Sequence, residues 1–174
     1  MLPRRHFLKQ SLLGAAALAA GSAFRLPAAA PFKTKFSPDF NVFPALAGTD
    51  PVDQLKWGHD QGFRAWESTM LKDRPATEQE RISRTVQQLG MEFGQFVGTL
   101  TFRDVTFAGR DASAREKVLA DVRASVEIAK RMNTKFIHNV LGVADPKLPY
   151  DFQMANAIDL LKRIADLYEP HGLV

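Results

Sequence analysis

Cysteine is absent from the 174 residues. Its absence removes the ligand atom for Cys-bound zinc and Fe–S clusters, the nucleophile for thiol catalysis, and any disulfide-stapled scaffold. It also leaves nothing for a lipoprotein signal to acylate. Long hydrophobic runs are missing too. The most apolar stretch, Leu12-Leu13-Gly14-Ala15-Ala16-Ala17-Leu18-Ala19-Ala20, is too short to cross a bilayer, which takes about 20 residues. Acidic residues are missing from positions 1–30, which carry Arg4, Arg5, Lys9 and Arg25. Without those four, 19 basic residues face 19 acidic ones, so the formal charge of +4 belongs to that segment. The remainder has no basic stripe, and nucleic acid is not an expected partner. The sequence also contains no GxGxxG, GxxxxGK, HExxH, GxSxG or EF-hand pattern. What remains, 45% hydrophobic and 24% charged with 11 Gly and 10 Pro, describes one globular domain of the usual size, about 100–200 residues.

Residues 1–30 read as a targeting segment: a charged start, a short apolar region, then small residues. Paired arginines in Pro3-Arg4-Arg5-His6-Phe7-Leu8-Lys9, ahead of an Ala- and Gly-rich run, look like a twin-arginine export signal. That route carries proteins that fold before crossing. It implies the twin-arginine machinery as a partner and a periplasmic or otherwise exported location. Two places fit small-x-small cleavage: Gly21-Ser22-Ala23, and Ala28-Ala29-Ala30 with Pro31 just after it.

From residue 31 one pattern recurs: an amphipathic helix, a Gly or Asn stop, then a short apolar strand. A first strand is expected over Lys35–Phe43, interrupted by Pro38. The first helix opens at Thr49-Asp50-Pro51, a cap residue followed by Pro in the first turn, and runs to Gly62. Phe63–Glu67 is the second strand. Thr77-Glu78-Gln79-Glu80 has capping-box spacing and opens a helix whose apolar face is Ile82, Val86 and Leu89. Gly90 stops it, and Met91–Val97 is the third strand. Ser113-Ala114-Arg115-Glu116 is a second capping box, for a helix burying Val118, Val122, Val126 and Ala129 up to Asn133. Thr134–Leu141 is the fourth strand. The last helix spans Phe152–Glu169 and presents Ile158, Leu161, Ala165 and Tyr168. Gly172-Leu173-Val174 then starts another strand. Helix alternating with strand implies parallel pairing through right-handed crossovers. Four such units cannot close an eight-stranded barrel, so the expectation is the front half of something larger.

α/β folds keep their sites at the C-terminal strand ends. Glu67 closes the second strand and could accept a substrate hydroxyl or bind a metal, or simply be a capped loop residue. His138, inside Phe136-Ile137-His138-Asn139-Val140, could bind substrate or metal, or be a satisfied core histidine. Asn41 and Phe43 could line a pocket mouth or serve a turn. Lys72-Asp73-Arg74-Pro75 could hold a phosphate, though a solvated loop is the plainer reading. Trp57 and Trp66 read as core or pocket wall. His6, His59 and His171 share no metal-ligand spacing with His138. The loop Thr99–Asp111 follows a strand end, where an active-site loop would sit.

Three segments carry a family resemblance: Asp60-Gln61-Gly62-Phe63-Arg64-Ala65-Trp66-Glu67, the run from Ile128 through Asn133-Thr134-Lys135-Phe136-Ile137-His138 to Gly142, and Ala165-Asp166-Leu167-Tyr168-Glu169-Pro170-His171-Gly172-Leu173-Val174. In order and spacing they resemble the xylose isomerase-like TIM barrels, and within them the hydroxypyruvate isomerase-like, sugar phosphate isomerase/epimerase group. The resemblance implies the N-terminal half, about four βα units over residues 31–174, of a TIM (β/α)8 barrel behind a signal peptide at 1–30. It implies an isomerase or epimerase of a small sugar or hydroxy acid, using a divalent metal (Mg, Mn or Zn) as Lewis acid and a carboxylate to move a proton. In relatives the metal ligands and acid/base carboxylates come from strands five to eight, beyond Val174, so catalytic residues and metal ligands are not expected in this chain. His138 matches a strand-four histidine and Glu67 a strand-two acid of some relatives, neither of them a metal ligand in the isomerase group. With Asn41 they are the substrate-binding candidates. A half barrel leaves an open edge that self-association could cover. Two other readings are a non-catalytic periplasmic carbohydrate-binding barrel and an endonuclease-like member of the superfamily. The neutral mature chain argues against the endonuclease.

Overall fold

A computed structural model describes residues 28–174; the leader candidates Arg4 and Arg5 lie outside the described residues. The chain after 48 alternates helix and strand as the hydrophobic periodicity requires. Helix α1 is one turn (Pro44–Ala47). It is followed by α2 (Pro51–Asp60), β1 (Ala65–Trp66), a 3₁₀ turn (Leu71–Asp73), α3 (Ala76–Gln88), β2 (Glu92–Phe93), β3 (Gln95–Thr99), α4 (Ala112–Met132), β4 (Phe136–Asn139) and α5 (Tyr150–Tyr168). No helix among the described residues is long and apolar enough to cross a membrane.

All strand pairs are parallel. β1 pairs with β2 through Ala65–Glu92 and Trp66–Phe93. β3 pairs with β4 through Gln95–Phe136, Phe96–Ile137 and Val97–His138. The expected strand Met91–Val97 is thus two short strands divided at Gly94, the first serving β1 and the second β4. Beyond β4, the Val174 N–H donates to Lys135 O at 2.7 Å and Ile137 N–H donates to Val174 O at 2.9 Å. The start of a next strand, expected at Gly172–Val174, is therefore seated.

Four expectations are corrected. Lys35–Phe43 is not a strand: a single parallel bridge joins Asp39 to Glu67. Pro38 has no N–H to continue a ladder, and the chain turns away at Asn41, whose φ is 70°. The two capping boxes are not formed. α3 starts at Ala76 behind Pro75 with no side-chain cap, which puts Thr77 inside the first turn instead of at its cap, and Glu78 pairs with Arg74 at 2.8 Å. α4 starts at Ala112, and its cap is Asp111, which accepts from Ala114 N–H at 2.6 Å. On α5 the buried stripe is Leu160, Ile164 and Tyr168, while Ile158, Leu161 and Ala165 are exposed. Both stripes have helical spacing, so the choice is made by packing against α4 and the sheet.

The core lies between the sheet and the helices. Leu55, Trp66, Ile82, Phe96, Val122 and Leu160 are fully buried, each contributing about 1.5–3 kcal/mol, or more for Trp66, by leaving water. The Trp66 ring occupies the space over Gly58 of α2, where an added Cβ would meet Cζ3. Gly58→Ala should therefore overpack the core and lower stability by about 1–3 kcal/mol. Chemical denaturation measures this; an unchanged midpoint would show the ring can shift without cost.

Candidate site on the inner face of the strands

Alternation along each strand separates a face packed on helices from a face pointing away from them. On β3 and β4, Phe96 and Ile137 are buried under the helices, while Gln95, Phe136 and His138 are exposed. Parallel register puts Gln95 beside Phe136 and Val97 beside His138. On β1, Trp66 turns toward α2, so Glu67 turns to the inner face.

Glu67 and Asp39 form a pair of acids there. Their backbones are bridged, Glu67 N–H donates to Pro38 O at 3.0 Å, and Asp39 Oδ2 accepts from Thr69 N–H at 2.6 Å. Asp39 is thus oriented by a backbone amide. Burial pushes the Glu67 carboxyl above its ordinary value, the charge of Asp39 adds to the rise, and a hydrogen bond from Gln95 opposes it. The Ser37 hydroxyl is buried without a partner and lies 2.7 Å from where a Gly94 Cβ would stand, a position only 3.5 Å from Glu67 Cβ. Glycine at 94 thus leaves room for Ser37 and Glu67 to approach each other. Together these groups can bind a hydroxyl through both its proton and its oxygen: Asp39 accepts, and Glu67 accepts or, when protonated, donates.

Of the candidates from sequence, Glu67 is at the centre of this cluster. His138 is on the same face, two strands away, exposed and beside Val97. Asn41 is not brought to the pair. It sits in a left-handed turn, and its backbone N–H donates to Gln54 Oε1 at 2.8 Å. Phe43 stacks among aromatic rings, 4.9 Å from Trp57. Lys72 Nζ donates to Gly98 O at 2.5 Å and to Asp121 at 3.1 Å, and Arg74 pairs with Glu78 and covers the Phe40 ring at 5.0 Å. Both cations of the 72–75 cluster are thus already matched. Asp39 and Gln95 escaped the sequence reading. An acid at the end of the first extended segment, matching Glu67 at the end of the second, was the available signal for Asp39.

Above the strand ends two loops are stitched together. Thr106 Oγ1 donates to Leu141 O at 3.0 Å, and Val143 N–H donates to Asp104 O at 3.1 Å. Gly142 makes this possible with φ 79°, and any Cβ there would strike Asp104 O and Thr106 Oγ1. The loop over Thr99–Asp111 walls a cavity of about 500 Å³ against α4, bordered by Thr101, Asp104, Asp111, Lys117 and Asp121. Among the described residues no group of three His, Asp or Glu side chains could hold a metal. The Asp39–Glu67 pair with a distant His138 does not fit a metal by itself, and no chemical step is assigned to one.

Parallel strands with outer helices and polar groups at the C-terminal strand ends define a partial α/β barrel of the TIM type. The chain belongs to the xylose isomerase-like TIM barrel family, whose profile matches residues 55–174. Comparison with curated proteins finds no match. Among solved structures it is similar to an AP endonuclease, family 2, from Brucella melitensis (15% identity, TM-score 0.62, covering 80% of this chain and 53% of that one). It is also similar to D-psicose 3-epimerase with D-tagatose from Clostridium cellulolyticum H10 (11%, 0.62, 80% and 50%). A third is the IOLI protein with a binding zinc atom (17%, 0.57, 79% and 49%). At these identities the likeness concerns the fold. The chain spans about half the length of these structures.

Two outcomes follow from this geometry. Because the folded-state pKa of Glu67 is above its ordinary 4.5, the native state holds that proton more tightly than the unfolded chain. The stability this contributes is complete below 4.5 and is lost as pH rises through the raised value. Glu67→Gln should remove that fall, so melting temperatures of the two proteins should diverge across this window; parallel profiles would contradict the placement. Gly142→Ala should cost about 1–3 kcal/mol for forcing a side chain into left-handed backbone, and limited proteolysis should then cut within 100–111 or 140–149. Protection equal to the parent's would show the loops are held by other contacts.

Proposed function

We propose that the chain is the N-terminal part of a divalent-metal-dependent isomerase or epimerase of a small sugar or hydroxypyruvate-type acid. In this reading it belongs to the hydroxypyruvate isomerase-like group, and Glu67, with Asp39, holds substrate hydroxyls. The observation that carries the reading is the acid pair on the inner face, at the strand ends where barrels of this type do chemistry. Half-buried Glu67 and its neighbour Asp39 present carboxyl oxygens that suit the hydroxyl groups of such a substrate. His138 lies farther along the same face and would contact a more distant part of the substrate. Asn41 would act at the rim. The Mg, Mn or Zn ion, Lewis acid for the carbonyl and hydroxyl oxygens, and the carboxylate that moves the proton would come with strands beyond Val174. The leader would direct the folded protein through the twin-arginine route to the periplasm. An uncovered strand edge would favour self-association of residues 1–174 expressed alone.

The test is to read the coding DNA past the Val174 codon and assay both lengths. An open frame supplying about four more βα units should yield a protein that interconverts ketoses or hydroxypyruvate with added Mg, Mn or Zn. There Glu67→Gln should lower kcat/KM about 10–100-fold, the loss of a charged hydrogen bond. Residues 1–174 alone should show no metal-stimulated turnover. A stop codon after Val174, or clear turnover by the short chain, would overturn the proposal.

A further inference from the structure

We infer that Gln95 and Phe136 complete the floor of the site: the Gln95 carboxamide takes a ligand hydroxyl beside the acid pair, and the Phe136 ring takes the C–H face of the same ligand. This rests on the isomerase or epimerase reading above and adds to it two contacts that determine which ligand fits.

A one-residue bulge delivers Gln95. Met91, Phe93 and Phe96 are all buried in the core, a spacing of two and then three. Strict alternation from Phe93 would carry Gln95 into the core with it. Instead Trp66 O accepts from Gly94 N–H at 2.7 Å, and Ser68 N–H donates to Gln95 O at 3.2 Å. Gly94 and Gln95 together thus lie opposite the single residue Glu67. That two-against-one count is a β-bulge, a device that re-aims the side chains after it. Gln95 emerges exposed on the inner face, abreast of Glu67 and hydrogen-bonded to it.

Register carries the level across to the next strand. Gln95 pairs with Phe136, and one step nearer the C-terminal ends Val97 pairs with His138. Glu67, Gln95 and Phe136 therefore share one level of the inner face, and His138 stands about 7 Å above it, two residues along a strand. Two strand spacings put roughly 10 Å between the backbone at Glu67 and that at Phe136, with Gln95 between them.

Barrel interiors are packed in layers dominated by branched apolar residues. A level made of an acid, an amide and a ring is not such a layer. Phe136 keeps 57% of its surface exposed, although the next residue, Ile137, is in the core. A carboxamide has two N–H donors and a carbonyl acceptor. With one donor on Glu67, the carbonyl and the other N–H can serve a hydroxyl. The face of an aromatic ring is negative and attracts the polarised C–H bonds of a sugar. A ligand that spans this floor carries hydroxyls on one edge and C–H bonds on the adjacent face. A small polyol without a ring offers only the first.

The experiment is saturation-transfer NMR on the full chain with two probes: D-fructose, which has a ring, and glycerol, which has hydroxyls alone. Irradiating aromatic protons should pass saturation to the ring C–H protons of D-fructose. Phe136→Leu should abolish that transfer and weaken D-fructose binding about 3–10-fold, with glycerol affinity and melting temperature unchanged. Gln95→Ala should weaken both probes about 2–10-fold. Transfer that survives Phe136→Leu, or an equal loss for both probes in that variant, would overturn the assignment. So would a lowered melting temperature, which would make the ring a packing residue. D-fructose bound without help from Phe136 leaves the isomerase or epimerase reading standing. If neither probe binds, the inference fails, and ketose turnover by the longer protein decides that reading separately.

Discussion

The arrangement depends on the seat of Trp66. Its indole is fully buried and rests over the bare Cα of Gly58, with Phe40, Phe43 and Phe63 at 5.9, 6.5 and 5.9 Å. That contact sets the distance between α2 and β1, the first helix and strand of the repeating unit. It also settles which way β1 faces. Successive side chains on a strand point to opposite sides, so a Trp held under the helix places Glu67 on the inner face, beside Asp39. A smaller residue at 66 would leave both the helix spacing and the direction of the carboxylate undetermined.

From that seat the rest propagates by parallel pairing. One extended segment, interrupted at Gly94, serves β1 with its first half and β4 with its second. The sheet thus advances by one βα unit at each step, and its polar groups accumulate at one end. The site is assembled from groups distant in sequence: Ser37 and Asp39 from the entry segment, Glu67 from β1, Gln95 from β3, and His138 from β4. Two loops joined through Gly142 close the top. This layout is that of the xylose isomerase-like TIM barrels, to which the chain belongs.

The helices were legible because each combines periodic apolar residues with a local stop. Asn133 adopts the left-handed conformation that its place before a strand suggests, with φ 53°, and Val118, Val122, Val126 and Ala129 are buried as their spacing requires. Where two local signals competed, the sequence was ambiguous. At the start of α4, Asp111 and Ser113 are both good caps, and the acid two residues earlier forms the bond. Along α5 two apolar stripes share one spacing, and only the neighbouring α4 and sheet select Leu160, Ile164 and Tyr168. The entry segment was misread because its apolar alternation resembles a strand, while a strand also needs a partner for every amide, and Pro38 and the turn at Asn41 deny it one.

By itself, then, the sequence determined the alternation of helix and strand, the parallel class that follows from it, and Glu67 and His138 as polar residues near strand ends. These are local properties, set by periodicity, caps and stops within a few residues. Only the tertiary structure decided that Asp39 joins Glu67, that Asn41 serves a turn, that Lys72 and Arg74 are already neutralised, and that Gln95 lies abreast of Glu67. Each of these depends on contacts between residues tens of positions apart. Burial, pairing and pKa follow from which distant chain segment arrives alongside, and no local pattern encodes that arrival.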